Sequence, residues 1–210
     1  MAINLITSYY TSEDDLRQAE IDTCLRRNIL NKSIDNVFVL TNDELPFEKD
    51  NLFVIRCKLR PTYNDLFRVT QRRLFETSNI NIIANADIYF ESDIEELLKY
   101  DLRNTCLALS RWDVTNNGTY HHASKESQDT WIFEGAVKTN TDGWMQIGIK
   151  GCDNRIAHEL HNVGYKVINP SKLIKSYHLH SSDVRSDDKS IIEGPYLFIS
   201  PTDTPCYYPS

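Results

Sequence analysis

Asn85-Ala86-Asp87 directly follows the run Ile80-Asn81-Ile82-Ile83-Ala84. A mostly apolar run of that length predicts a buried strand, and open α/β sheets bind ligands beyond the carboxyl ends of their strands. A carboxylate there is costly unless it is solvated, paired or on a metal. Asn and Asp separated by one residue present two oxygen-bearing side chains to one ligand. A hard divalent cation bridging a diphosphate suits that pair. The alternative is an Asp that caps the next segment.

Four further groups carry chemistry-bearing residues. Gly151-Cys152-Asp153-Asn154-Arg155 opens a helical pattern, where Asp153 or Asn154 can cap the helix and face a ligand at the same time. Tyr177-His178-Leu179-His180 ends a strand-like run, so His178 and His180 share one face and can ligate a metal or serve structure. In Ser127-Gln128-Asp129-Thr130-Trp131, Asp129 would accept sugar hydroxyls and Trp131 would stack on a sugar face, or Trp131 is a core residue. Arg60-Pro61-Thr62-Tyr63-Asn64 lies at a strand-to-helix turn and would hold a base or phosphate, or cap the helix. Arg185 and Lys189 follow the histidines in a polar stretch and would meet phosphate or solvent.

Strands and helices must alternate to bring these groups together. Strands are predicted over 3–9, 36–41, 52–57 and 80–84. Helices are predicted over 12–31, with Ser12 as N-cap and Ile21, Leu25 and Ile29 as the apolar stripe, over 63–77 with Leu66, Val69 and Leu74 inward, and over 92–100 with Ser92 as cap. Strands over 105–111 and 130–138 flank a polar loop, 116–129. A helix from Asp153 to Val163 closes at Gly164, and strands near 165–168 and 173–179 follow. The fold class is α/β, an open, mixed but mostly parallel sheet flanked by helices. Residues 1–193 read as one domain. Residues 194–210, holding Pro195, Pro201, Pro205 and Pro209, read as a tail or linker that leaves room for further domains after residue 210.

Composition narrows the function. The 210 residues carry 23 Lys and Arg against 30 Asp and Glu, a net charge of −7, so nucleic acid is not an expected partner. An anionic ligand would need local arginines, helix N-termini or a metal. No apolar run is long enough to span a membrane, and the first residues lack the basic start of a signal peptide. Cysteines at 24, 57, 106, 152 and 206 form no C-x-x-C pair, and their odd number favours a reducing, cytoplasmic setting.

Taken in order, Asn85-Ala86-Asp87-Ile88-Tyr89-Phe90, Ser127 to Phe133, Gly151 to Ala157 and Asn169 to His180 resemble the D-x-D motif, here N-x-D, and later blocks of GT-A-fold glycosyltransferases. The resemblance spans roughly residues 1–185 and implies a UDP-sugar donor, a glycan or glycoprotein acceptor and Mn²⁺ or Mg²⁺. It implies Asp87 as metal ligand, joined by His178 or His180, and Asn85 and Ala86 beside the ribose. Thr7 to Tyr10, with Thr7 and Tyr9 foremost, would cradle the base. Arg60, Tyr63, Trp131 and Arg185 complete the expected donor site, and Asp153 and Asp129 are the expected catalytic carboxylates. A sugar nucleotidyltransferase shares the layout but usually has a Gly-rich, basic loop after its first strand, unlike Thr7-Ser8-Tyr9-Tyr10-Thr11. A non-catalytic sugar-binding module is the third reading.

Overall fold

The structure is a computed structural model that describes residues 1–73, 78–179 and 190–203. Strand β1 (Ile3–Ser8) is buried along its length and leads to helix α1 (Asp15–Leu30). The helix begins later than Ser12. Asp14 is its N-cap and accepts a hydrogen bond from Arg17 N at 2.7 Å, while Ser12 Oγ accepts from Asp14 N. Strands β2 (Asn36–Thr41) and β3 (Leu52–Arg56), helix α2 (Tyr63–Arg73) and strand β4 (Ile80–Ala84) follow as read from the sequence. Leu74, placed on the apolar side of α2, lies outside the described residues.

A two-residue strand, β5 (Ile88–Tyr89), follows Asp87. Ser92–Lys99 is a 3₁₀ helix preceded by Glu91, so Ser92 is not its cap. Strand β6 (Thr105–Leu109) is shorter than expected and is followed by a hairpin, β7 (Trp112–Thr115) and β8 (Gly118–His121). The predicted polar loop thus contains a strand, and the signal was local: Asn116-Asn117-Gly118 is a hairpin turn sequence. Strand β9 (Thr130–Glu134) stops before Gly135, whose φ of 70° breaks the extended run. Helix α3 (Cys152–Asn162) and strands β10 (Lys166–Ile168) and β11 (Tyr177–Leu179) complete the order.

Seven strands form one sheet in the order β10-β6-β9-β4-β1-β2-β3, parallel except for β9, which runs antiparallel to both neighbours. Alternating side chains feed two cores. Leu5, Val37, Val39 and Ile82 pack against Ile21, Leu25 and Ile29 of α1 and Ile94 and Leu97 of the 3₁₀ segment. Ile6, Phe38 and Ile83 pack against α2 and α3 through Leu66, Phe67, Ile156 and Leu160. A second sheet, β5-β11-β7-β8, lies at the end of β4. Residues 190–203, of which 194–203 fall in the stretch read as tail or linker, hydrogen-bond to the body: Ile192 N donates to Lys150 O, Leu197 N to Asn154 O and Thr202 N to Asn169 O. Among the described residues no helix is long and apolar enough to cross a membrane.

Three asparagines pin the register at the end of the sheet away from Asp87. Asn4 faces Asn36 on one side and Asn81 on the other. Asn36 Nδ2 donates to Asn4 Oδ1 at 2.8 Å, Asn4 Nδ2 to Asn81 Oδ1 at 3.0 Å, and Asn81 Nδ2 to Gly135 O at 2.7 Å. Asn4 and Asn81 are fully buried, so each unmade bond would carry its desolvation cost. Asn4→Ala leaves partners stranded on both neighbours and is expected to destabilise the fold by about 2–3 kcal/mol in urea unfolding. A loss below about 0.5 kcal/mol would show that the ladder does not hold the register.

Candidate active site

The carboxyl ends of β1, β2, β4 and β6 open onto a cleft of about 630 Å³. Asp87 is set there by the short turn after β4, in which Ile88 N donates to Asn85 O. β11 runs between β5 and β7, pairing His178 with Ile88 on one side and Asp113 on the other. That topology brings together residues from three distant parts of the chain. His178 Nδ1 lies 2.8 Å from Asp113 Oδ1, and its Nε2 lies 3.3 Å from Asp87 Oδ2. Arg17 Nη2, from the first turn of α1, donates to Asp87 Oδ2 at 2.6 Å.

The charge of each group follows from its neighbours. Burial works to raise the Asp87 pKa, but the hydrogen bond and charge of His178 and the Arg17 guanidinium overcome it and hold the carboxylate well below its ordinary range. Burial opposes a charged imidazole at His178, yet its bonds to Asp113 and Asp87 raise its pKa to about 9. These partners draw His178 toward the imidazolium form, so a metal bound by its ring would have to displace a proton. Asp113 is likewise held down by His178 and Arg111 against the cost of its enclosure.

A second carboxylate pair, Asp129 and Asp153, lines the same cleft. Asn85 Nδ2 donates to Asp129 Oδ1 at 2.8 Å, and Arg111 Nη1 to Asp129 Oδ2 at 3.3 Å. Arg111 Nε also donates to Asp113 Oδ1 at 2.8 Å, tying the two clusters together. Asp153 sits in the first turn of α3 after Gly151, whose φ of 86° starts the helix without a side-chain cap. Enclosure, then the charge of Asp129, raises the Asp153 pKa to about 8 despite bonds from Cys152 and the Gln128 backbone. Among the described residues no cation lies within ion-pairing distance of Asp153.

Among the residues read from the sequence, Tyr9, Arg60, Asn85, Ala86, Asp87, Asp129, Asp153 and His178 line the cleft. Arg60 reaches in over Gly148, where a Cβ would stand 2.4 Å from Arg60 Nη2. Thr7 does not line it: its hydroxyl donates to Ala84 O inside the sheet. Tyr63 and Trp131 are a correction. Both are buried in the core, edge to face at 5.0 Å, because the inward face of β9 and the first turn of α2 pack together there. His180 and Arg185 lie outside the described residues. Arg17, Arg111 and Asp113 were missed. No local pattern marks their place in the cleft, since Arg17 meets Asp87, Arg111 meets Asp129 and Asp113 meets His178 only through the fold.

The residues fit a divalent cation. Asn85 Oδ1 and Asp87 Oδ1 are buried oxygens without a hydrogen-bond partner among the described residues, and both are hard donors. Among the described residues no group of three or more His, Cys, Asp or Glu is arranged to hold a metal unaided, so a ligand such as diphosphate would have to supply further oxygens.

No protein-family model matches the sequence, and no curated protein matches it significantly. Solved structures match the fold. The S. aureus TarS fragment 1–349 in complex with UDP-GlcNAc is 14% identical with a TM-score of 0.58, over 91% of this chain and 62% of that one. GalNAc-T7 with UDP, GalNAc and Mn²⁺ is 8% identical with a TM-score of 0.57, over 90% of this chain and 45% of that one. The 2-C-methyl-D-erythritol 4-phosphate cytidylyltransferase of Francisella tularensis is 12% identical with a TM-score of 0.50, over 90% and 95%. This chain spans less than two thirds of the first two. The fold is GT-A-like, of the kind shared by UDP-sugar glycosyltransferases and nucleotidyltransferases.

Removing Asp113 strips His178 and Arg111 of a shared partner in a half-buried setting. Asp113→Ala is expected to cost about 2–4 kcal/mol in chemical denaturation, and Asp113→Asn, which keeps an acceptor oxygen, less. Equal stability of Asp113→Ala and the parent would show that the two clusters are not coupled.

Proposed function

We infer that the chain is a glycosyltransferase that carries a sugar from a UDP-sugar donor to a hydroxyl of a glycan or other acceptor. The observation that carries this reading is the division of labour in one cleft. Two oxygens without a hydrogen-bond partner among the described residues, on Asn85 and Asp87, stand in a cleft lined by guanidinium groups. Burial pushes the pKa of both Asp129 and Asp153 upward, but Arg111 and Asn85 hold Asp129, while no cation among the described residues pairs with Asp153. A buried carboxylate without a cation partner keeps its proton to higher pH, which suits it to proton transfer near neutrality. The UDP-GlcNAc and UDP held by two structures of the same fold support the choice of nucleotide.

The base and ribose would lie over the ends of β1 and β2, beside Tyr9, Tyr10, Asn42 and Asp43, with Arg60 and Lys58 near the anionic part. A divalent cation on Asn85 and Asp87 would neutralise charge on the departing diphosphate. Asp153 takes the proton of the acceptor hydroxyl as its oxygen attacks the anomeric carbon. The bond from that carbon to the phosphate oxygen breaks, and its electrons leave with the diphosphate. Asp129, held by Arg111 and Asn85, stays in place beside Asp153, and its charge when ionised raises the proton affinity of Asp153.

Asp153 must be ionised to act. Its base form is the minority below about pH 8 and grows as pH rises through that value, so kcat/KM for the acceptor should climb through pH 8 and level only about one pH unit above it. Asp153→Asn should lower release of UDP from a UDP-sugar by about 10²-fold or more while UDP affinity holds. Normal turnover with only a lower melting temperature would reduce Asp153 to a helix-start residue. Pyrophosphate release from a nucleoside triphosphate, without UDP release, would favour nucleotidyl transfer instead.

A further inference from the structure

Arg17 stands where a cation is out of place. It is the third residue of α1, and the amino end of a helix carries partial positive charge that disfavours a guanidinium. Its position is set by side chains: Nη2 on Asp87 at 2.6 Å, Nη1 on Glu20 at 2.9 Å, and Nε and Nη2 on the Tyr10 hydroxyl at 3.2 and 3.1 Å. The side chain lines the cleft and is 18% exposed. It neutralises one oxygen of Asp87, while the other, Oδ1, has no hydrogen-bond partner among the described residues.

We propose that Arg17 is an exchangeable counter-ion: it holds Asp87 in the empty cleft, yields that carboxylate to a divalent cation, and turns to the incoming diphosphate. The inference rests on the nucleotide-sugar reading. A divalent cation on Asp87 Oδ1 and the guanidinium on Oδ2 repel across one carboxylate, and His178 Nε2 at 3.3 Å leaves Oδ2 a second partner, so metal binding weakens the Arg17 bond and frees the guanidinium. The guanidinium then stays in the cleft beside Tyr10, where a diphosphate offers two or more anionic oxygens at the spacing its fork matches. Arg17 thereby couples the two ligands. Metal alone must break the Arg17–Asp87 bond without recompense, whereas metal with diphosphate restores a partner to both groups.

The test uses the full chain, with Mn²⁺ followed by electron paramagnetic resonance and UDP and uridine by calorimetry. Arg17→Gln removes the competing charge, so Mn²⁺ alone should bind about tenfold tighter or more than to the parent. In saturating Mn²⁺ the same variant should bind UDP about tenfold more weakly or worse and uridine unchanged. Arg17→Lys, which keeps the charge but cannot span Asp87 and Glu20, should fall between on both measures. Unchanged or weaker Mn²⁺ binding by Arg17→Gln overturns the proposal, as does unchanged UDP affinity. If Arg17→Gln proves unfolded by circular dichroism, Arg17→Lys decides, and parent-like values on both measures overturn the proposal. A parent chain that takes up no UDP with Mn²⁺ overturns the nucleotide-sugar reading and this proposal together, whereas parent binding with an indifferent Arg17→Gln overturns this proposal alone.

Discussion

Asp87 is a carboxylate that folding removes from water at the end of a central strand, and it must be neutralised. The chain does so with groups from opposite ends of the sequence: Arg17 from the helix after β1, and His178 from the last strand. Satisfying one carboxylate therefore fixes how α1, the β4 end and the small second sheet meet. Asp113 and Arg111 extend the same network to Asp129. Breaking one member of such a network leaves an uncompensated charge, so its members hold one another.

The large sheet makes that convergence possible. The asparagine ladder sets β2, β1 and β4 in register at one end, and the strands deliver their ligand-facing residues together at the other. The antiparallel β9 enters between β4 and β6 from the cleft side. That direction puts Asp129, at its start, next to Asn85, at the end of β4, where Asn85 N donates to Asp129 O. α3 then presents Asp153 close enough to Asp129 for their charges to interact. One carboxylate is held by Arg111 and Asn85 and the other is not, and this difference separates their chemistry.

Much of this was legible along the chain. Asn85-Ala86-Asp87 announced itself because a polar pair ends an apolar run, and the stripe Ile21, Leu25, Ile29 gave the buried face of α1. Asp153 was visible as an acidic helix start. Tyr63 and Trp131 misled because an aromatic beside a polar residue looks alike in a sugar site and in a core, and only packing tells them apart. The β7–β8 hairpin was hidden by its polar composition, although its Asn-Asn-Gly turn was readable. Arg17 and Asp113 had no signal of their own. Each is defined by a partner brought close only by strand order, and strand order is not written in local periodicity.

The central claim is that the cleft binds a nucleoside diphosphate through a cation on Asn85 and Asp87. Calorimetric titration of UDP into the full chain, once with Mn²⁺ and once with EDTA, tests it most directly, with Asp87→Asn run alongside. The account predicts tighter binding with Mn²⁺ in the parent and a difference that largely disappears in Asp87→Asn. Equal UDP affinity in Mn²⁺ and EDTA for the parent would contradict it.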